Sequence, residues 1–239
     1  MFYTDIHSHM LCGVDDGARD EKIMHEMLDA AYRTGTRTLC LTPHYQPLFY
    51  GDNKEDSLAV FENLSAYAKV RYPDMTLHLA NELGYYTDCH FAIASGDCRL
   101  IGGKYLLMDF LPDTSLFTIQ YAVEEMLSAG HSILLAHIER YAALEGKEQL
   151  LTDWERRGAR FQVNASAFAR KTSGKERRRI KKLMSRALVH AVASDAHDIS
   201  ERPPSLAEAE EVITSRFGHD IARLVLCDFP DRIIKGKSI

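Results

Sequence analysis

Phe2-Tyr-Thr-Asp-Ile-His-Ser-His9 is a short apolar run that closes on two histidines one residue apart. Residues i and i+2 of an extended strand point the same way, so His7 and His9 can aim both rings at one point. Imidazole is a common ligand for zinc, iron and similar ions. A His-x-His pair alone is weak; its meaning depends on whether other β-leaning runs end the same way.

Such runs recur at about 36–41, 76–80, 104–109, 131–136, 159–163 and 189–194. His44 follows the second run and Glu82 the third. Asp109 ends the fourth, His137 the fifth, and Asp195 with His197 the seventh; the sixth delivers Asn164, a poor ligand. Amphipathic patterns lie between most of them. Ile23, Met24, Met27, Leu28 and Ala31 share one face of a helix over 20–34. Leu58, Phe61, Leu64, Tyr67 and Ala68 do so over 56–70. Further helices are expected at 117–129, 146–157, 174–187, 205–217 and 219–226. Strands alternating with helices imply parallel βαβ units. Seven strands in 239 residues predict an α/β chain folded as a closed or nearly closed (β/α)7-type barrel, one domain over 1–239. An open doubly wound sheet is the structural alternative. In a barrel the C-terminal strand ends converge on one face, where active sites are built.

Composition sets limits. Hydrophobic residues make up 46% and charged residues 26%, the balance of a globular protein. A formal charge of −5 argues against a protein built to hold nucleic acid. No apolar run approaches the ~20 residues of a membrane span, and no basic-then-apolar secretory signal opens the chain. Five scattered cysteines with no Cys-x-x-Cys pair suggest reduced thiols in a cytoplasm. His25, His78, His90, His131, His190 and His219 are scattered and need no metal. The others converge with carboxylates that would repel one another or stay unsatisfied without cations. A mixed N/O set favours Mn, Fe or Zn over Mg or Ca.

Six segments carry a family resemblance: Asp5-Ile-His-Ser-His9, Val14-Asp-Asp-Gly17, Thr42-Pro-His44, Ala136-His-Ile-Glu-Arg-Tyr141, Ala193-Ser-Asp-Ala-His197 and Arg202-Pro-Pro204. Together they resemble the polymerase-and-histidinol-phosphatase (PHP) superfamily, and within it the bacterial manganese-dependent tyrosine phosphatases encoded beside capsule and exopolysaccharide genes. The similarity runs through most of the chain. It implies the PHP fold, a distorted β/α barrel, with three divalent ions at the rim, Mn first and Fe, Co or Zn as alternatives. His7, His9, Glu82 and Asp195 would hold one ion. Glu82 would bridge to a second, shared with Asp109 and His137. Asp16, His44 and His197 would hold the third. The implied substrate and partner is the tyrosine-phosphorylated tail of a bacterial tyrosine autokinase, in the cytoplasm.

Two positions stay open. The family pattern has Glu where this chain has Asp109, whose carboxylate reaches roughly 1.3–1.5 Å less far. Either the strand end moves inward, or Asp109 binds one ion in place of a bridge, or the second site is weaker. Asp15 and Asp16 both offer a carboxylate, and only the family register selects the second.

The expected chemistry is in-line attack on phosphorus by a hydroxide held between two ions. Arg140 and Arg202 each follow a ligand motif, and their forks suit phosphoryl oxygens. The leaving phenolate has a pKa near 10; His44, His197 or a metal-bound water could protonate it. Tyr45, Phe49, Tyr50, Tyr85, Tyr86, Phe110, Leu111 and Tyr141 follow ligand positions and would suit an aromatic phosphate. No cysteine begins a Cys-x5-Arg signature, and there is no phosphate-binding Gly-x4-Gly-Lys loop or Gly-x-Gly-x-x-Gly after a strand. The basic run 170–186 reads as a solvated helix face with Ile180, Leu183, Met184 and Ala187 inward, or as a strip that attracts anionic peptide. Two other functional readings are another PHP phosphoesterase, acting on histidinol phosphate or nucleic-acid ends, and a non-catalytic regulator binding metal or phosphotyrosine. Asp109 is the feature that speaks for the regulator.

Overall fold

Strand β1 (Tyr3–Asp5) pairs in parallel with β2 (Thr36–Leu41), and β2 with β4 (Thr76–Leu79). A second run of parallel pairs joins β3 (His44–Tyr45), β5 (Glu82–Gly84), β6 (Tyr105–Asp109), β7 (Ser132–Leu135), β8 (Arg160–Asn164) and β9 (Ala191–Ala193). These elements come from a computed structural model that describes residues 1–239. The two runs are one sheet with two broken strands: β3 continues β2 and β5 continues β4. Pro43 lies in the first break and has no N–H to give a ladder; Asn81, in the second, donates its side-chain amide to the Pro43 carbonyl at 3.1 Å.

The ring closes beyond β9. The Asp195 N–H donates to the His7 carbonyl at 3.0 Å, and the His9 N–H to the Ala196 carbonyl at 2.8 Å. The sheet is therefore a distorted seven-stranded barrel rather than an open doubly wound sheet.

Residue size explains the narrow lumen. Cys40, Ala80, Ala136, Ala191 and Ala193 pack inside with Ile6, Leu107 and Leu134, and Ile233 and Ile234 plug the base. The alternate residues Leu106, Met108, Ile133, Leu135, Phe161 and Val163 face the outer helices. Because side chains alternate along a strand, lumen parity carries upward from Ala80 to Glu82, from Leu107 to Asp109 and from Ala193 to Asp195.

The expected helices form as α1 (Glu21–Arg33), α3 (Lys54–Arg71), α5 (Leu116–Ser128), α6 (Glu148–Arg156), α7 (Gly174–Ser185), α8 (Ala207–Phe217) and α9 (His219–Arg223). Asp20, Ser115 and Ser173 cap α1, α5 and α7, each accepting from a backbone N–H three residues on. Three short helices escape the periodicity reading: α2 (Pro47–Tyr50), α4 (His90–Ala94) and α10 (Phe229–Ile234). Each is too brief to show a face.

Two inward assignments fail. Leu58 is exposed, because α3 buries Ser57, Leu64 and Ala68 instead. Ala187 lies past the end of α7 at φ +55°, where the chain turns out of the helix. Three members of the basic run pair with carboxylates: Lys175 meets Glu145 at 2.8 Å, Arg170 meets Glu211 at 2.9 Å and Lys182 meets Glu148 at 3.8 Å. Arg179 turns inward and donates to the carbonyls of Ile138, Glu139 and Tyr141 at 2.6–2.8 Å.

Candidate metal centre

All nine ligand-type residues singled out in the sequence meet at the C-terminal mouth of the barrel, in four overlapping groups. His7 and His9 extend β1. Their Nε2 atoms lie 3.1 Å apart, and each is 3.2–3.5 Å from Glu82 Oε2 and Asp195 Oδ1. Ligands at ~2.1 Å around a tetrahedral ion would stand roughly 3.4 Å apart, so these spacings suit a single cation. His137 Nε2 lies 3.0 Å from Glu82 Oε1 and 3.5 Å from Asp109 Oδ1. His44 and His197 each place Nε2 3.4 Å from Asp16 Oδ1. The first set is fully buried, whereas Asp16 is exposed, so the groups step from the lumen out to the rim.

The backbone bends sharply at two of these positions. His137 has φ +29° and Asp195 φ +50°. Neither is glycine, so both conformations carry strain, of a kind that gathers at functional sites.

Partners on the far side of each ring set the tautomers. His9 Nδ1 faces Asp15 Oδ2 at 2.8 Å. His7 Nδ1 faces Gln162 Oε1 at 3.2 Å, and Gln162 is oriented by its amide, which donates to Asn164 Oδ1 at 2.7 Å. His197 Nδ1 faces the Asp195 carbonyl at 2.9 Å, and His137 Nδ1 the Tyr141 hydroxyl at 3.2 Å. Each Nδ1 thus carries the proton, and each Nε2 turns a lone pair toward carboxylate oxygens. Acceptors converge on acceptors, an arrangement that protons or cations must neutralise.

Titration follows that logic. Burial opposes charge on His9 and His137, yet the adjacent carboxylates overcome it. They hold His9 well above its ordinary value, through Asp15 and Glu82, and His137 at about 9, chiefly through Glu82. Burial raises Asp109 to about 6, with the Glu82 charge adding to the effect. Asp195 is held at about 2: burial works against its charge, and His7 and His9 more than offset it. Burial lowers His44 to about 4.

Geometry separates Asp15 from Asp16. Gly17 packs so tightly on His9 that an added Cβ would sit 1.8 Å from the His9 carbonyl oxygen. This tight return tucks Asp15 behind His9, where it also accepts from the His44 N–H at 3.0 Å, and leaves Asp16 at the mouth. Asp109 approaches His137 despite its shorter reach, and the Tyr141 hydroxyl braces it at 3.0 Å.

Arg140 and Arg202 both line the cavity above the cluster, which encloses about 260 Å³. Arg140 Nη1 lies 3.4 Å from Asp195 Oδ2, while Arg202 Nη2 is buried with no hydrogen-bond partner. Phe49, Tyr50, Phe110, Leu111 and Tyr141 line the same cavity. Tyr45 is buried in the core, and Tyr85 and Tyr86 line a neighbouring hollow. A larger cavity of about 370 Å³, between α7 and α8, contains none of the ligand-type residues.

The supporting residues were the ones sequence reasoning left without a role. Gln162 and Asn164 share lumen parity at the end of β8, and Asn164 donates to Asp195 Oδ2 at 2.7 Å. Gln162 also accepts from the His137 N–H at 2.8 Å. That i, i+2 spacing at a strand end was their only signal.

A closed parallel barrel with a His/Asp/Glu cluster at its mouth defines a β/α-barrel protein with a candidate metal centre. The family model for capsular polysaccharide synthesis, CpsB/CapC, matches residues 3–235, and the chain belongs to that family. It is 30% identical to the tyrosine-protein phosphatase CpsB of Streptococcus pneumoniae, over 98% of this chain and 99% of the relative. It is equally 30% identical to the tyrosine-protein phosphatase YwqE of Bacillus subtilis, over 98% of this chain and 92% of that protein. A crystal structure from work on YwqE and CpsB, described as metal-dependent tyrosine phosphatases, superposes with a TM-score of 0.87 at 24% identity. That superposition covers 99% of this chain and 96% of the other.

Proposed function

We propose that this chain, acting as one domain, is a metal-dependent protein-tyrosine phosphatase. Its substrate would be the phosphorylated tail of a bacterial tyrosine kinase tied to capsule or exopolysaccharide synthesis, in the cytoplasm. The observation that carries the metal requirement is the convergence of imidazole lone pairs and carboxylate oxygens on shared points, with the Nδ1 atoms of His7, His9, His137 and His197 engaged by partners behind the rings. The donor set would suit up to three divalent ions: His7, His9, Glu82 and Asp195 for one, Glu82, Asp109 and His137 for a second, and Asp16, His44 and His197 for the third. Mixed N/O ligands suit Mn, with Fe, Co or Zn as alternatives. Bound there, such ions supply Lewis acidity and lower the pKa of water to near neutrality.

The remaining steps belong to the chain's own side chains. Arg202 brings an unpartnered guanidinium nitrogen and Arg140 a second fork to the same cavity, so both can grip phosphoryl oxygens as charge spreads over them. Tyr50, stacked on His44 with centroids 5.4 Å apart, and Phe49, Phe110 and Leu111 frame the mouth for a phenyl ring. Burial keeps His44 and His197 neutral at pH 7, which suits them to bind cations rather than to donate a proton.

The test is metal reconstitution of stripped protein with Mn, Fe, Co or Zn. Turnover is then compared on a phosphotyrosine peptide, histidinol phosphate and single-stranded DNA, with His137→Ala as control. Hydrolysis of the peptide alone supports the reading. Preference for either other substrate moves the chain to a different phosphoesterase class, and no turnover with any metal leaves the regulator reading.

A further inference from the structure

Beside the metal-lined cavity lies a second hollow of about 230 Å³, almost wholly apolar. Its walls are Pro47, Leu48 and Phe49 from α2 and Tyr85 and Tyr86 from the segment after β5. Gln46 and Phe49 line both spaces, so the two hollows share a wall. Gly84 keeps this boundary as it is: a Cβ there would meet the Gln46 side chain at 1.7 Å. On the same rim Leu48 is 88% exposed, Phe49 73% and Leu111 60%. Water-facing large apolar side chains in one patch, joined to a functional cavity, mark a surface that a ligand covers.

We propose that this hollow is a specificity subsite that takes an apolar or aromatic side chain of the substrate peptide, within about three residues of the phosphotyrosine; the proposal rests on the phosphatase reading. An extended peptide advances about 3.3 Å per residue and sends alternate side chains to one face. A chain anchored by its phosphate can therefore seat a second side chain in the adjoining hollow. The walls carry no charged group, so an acidic or basic residue there would lose hydration without a partner, whereas Leu, Phe or Tyr would bury apolar surface. A free aryl phosphate fills only the first cavity and gains nothing from the second.

The experiment scans one phosphotyrosine peptide with Leu, Ser and Asp at each of the three positions on either side. It is run with metal-loaded wild type, Leu48→Ser and Leu48→Asp, and para-nitrophenyl phosphate gives the baseline. At one or two positions Leu should exceed Ser by about tenfold in kcat/KM. The exposed Leu48 can change without loss of fold, and either variant should cut that preference at least threefold while leaving the aryl phosphate rate unchanged. A flat profile, or a preference that survives both variants, overturns the subsite. The same peptides carrying a non-hydrolysable phosphonate, read by fluorescence anisotropy, separate the two readings: a Leu preference in binding without any turnover keeps the subsite and discards the phosphatase.

Discussion

Replacing Tyr141 by phenylalanine removes one oxygen and leaves the ring in place. That oxygen is fully buried and has three partners: Asp109 Oδ1 at 3.0 Å, His137 Nδ1 at 3.2 Å and the Phe110 N–H at 3.2 Å. Stripping a buried partner costs about 1–3 kcal/mol, with charged groups at the upper end. Taking about 2 kcal/mol, the melting temperature should fall by about 4–8 °C for a chain of this size. The consequence for metal is more specific. Tyr141 orients one imidazole and one carboxylate of the same group, and loss of such support typically costs 10- to 100-fold in metal affinity. Calorimetric titration of metal-stripped Tyr141→Phe with Mn or Zn should show one site weakened by that factor. The site built on His7, His9 and Asp195 should keep its affinity, since Tyr141 bonds none of those residues. If every site bound as in wild type while the melting temperature fell, the hydroxyl would serve the fold alone, and the reasoning about Asp109 would be wrong.

Arg202→Ala should retain the bound metal and weaken competitive inhibition by inorganic phosphate by about tenfold, the worth of one charge-assisted pair. Unchanged inhibition would remove Arg202 from the phosphate site. Arg179→Met should raise KM for aryl phosphate more than it lowers kcat, because Arg179 holds the carbonyls of the loop that carries Arg140. An effect on kcat alone would argue against that route. In the metal-free protein His137 sits at about 9, above its ordinary 6.5. The stability from its proton is complete below pH 6.5 and is lost as pH rises through 9. His9, also raised, acts in the same direction. Scanning calorimetry should show the metal-free melting temperature falling across this window and the metal-loaded one falling less. A metal-free value that rises with pH contradicts the assignment.

The pattern of strands ending in His, Asp or Glu was legible without coordinates, because side-chain period and strand count are local properties. The same locality made α1 readable and hid α2, α4 and α10, which are too short to display a face. Leu58 misled because hydrophobicity alone does not say which side of α3 meets the barrel; Ser57 took the buried place. Asp15 and Asp16 are adjacent and chemically equal in sequence. Only the packing of Gly17 against His9 places Asp15 behind the His9 ring and leaves Asp16 at the rim.

By itself the amino-acid order determined the alternation of elements and eight of the ligand-type residues at the strand ends, since each depends on spacing within a few residues; Asp16 was singled out from Asp15 only by the family resemblance. The tertiary structure decided what depends on contacts between distant segments. Closure of β9 on β1 excluded the open sheet. Gln162 joined His7 to His137, and Tyr141 braced Asp109. Tautomers, strain at His137 and Asp195, and the unpartnered nitrogen of Arg202 likewise arise only when chain-distant groups are buried together, because burial turns an unmet hydrogen bond or charge into a cost.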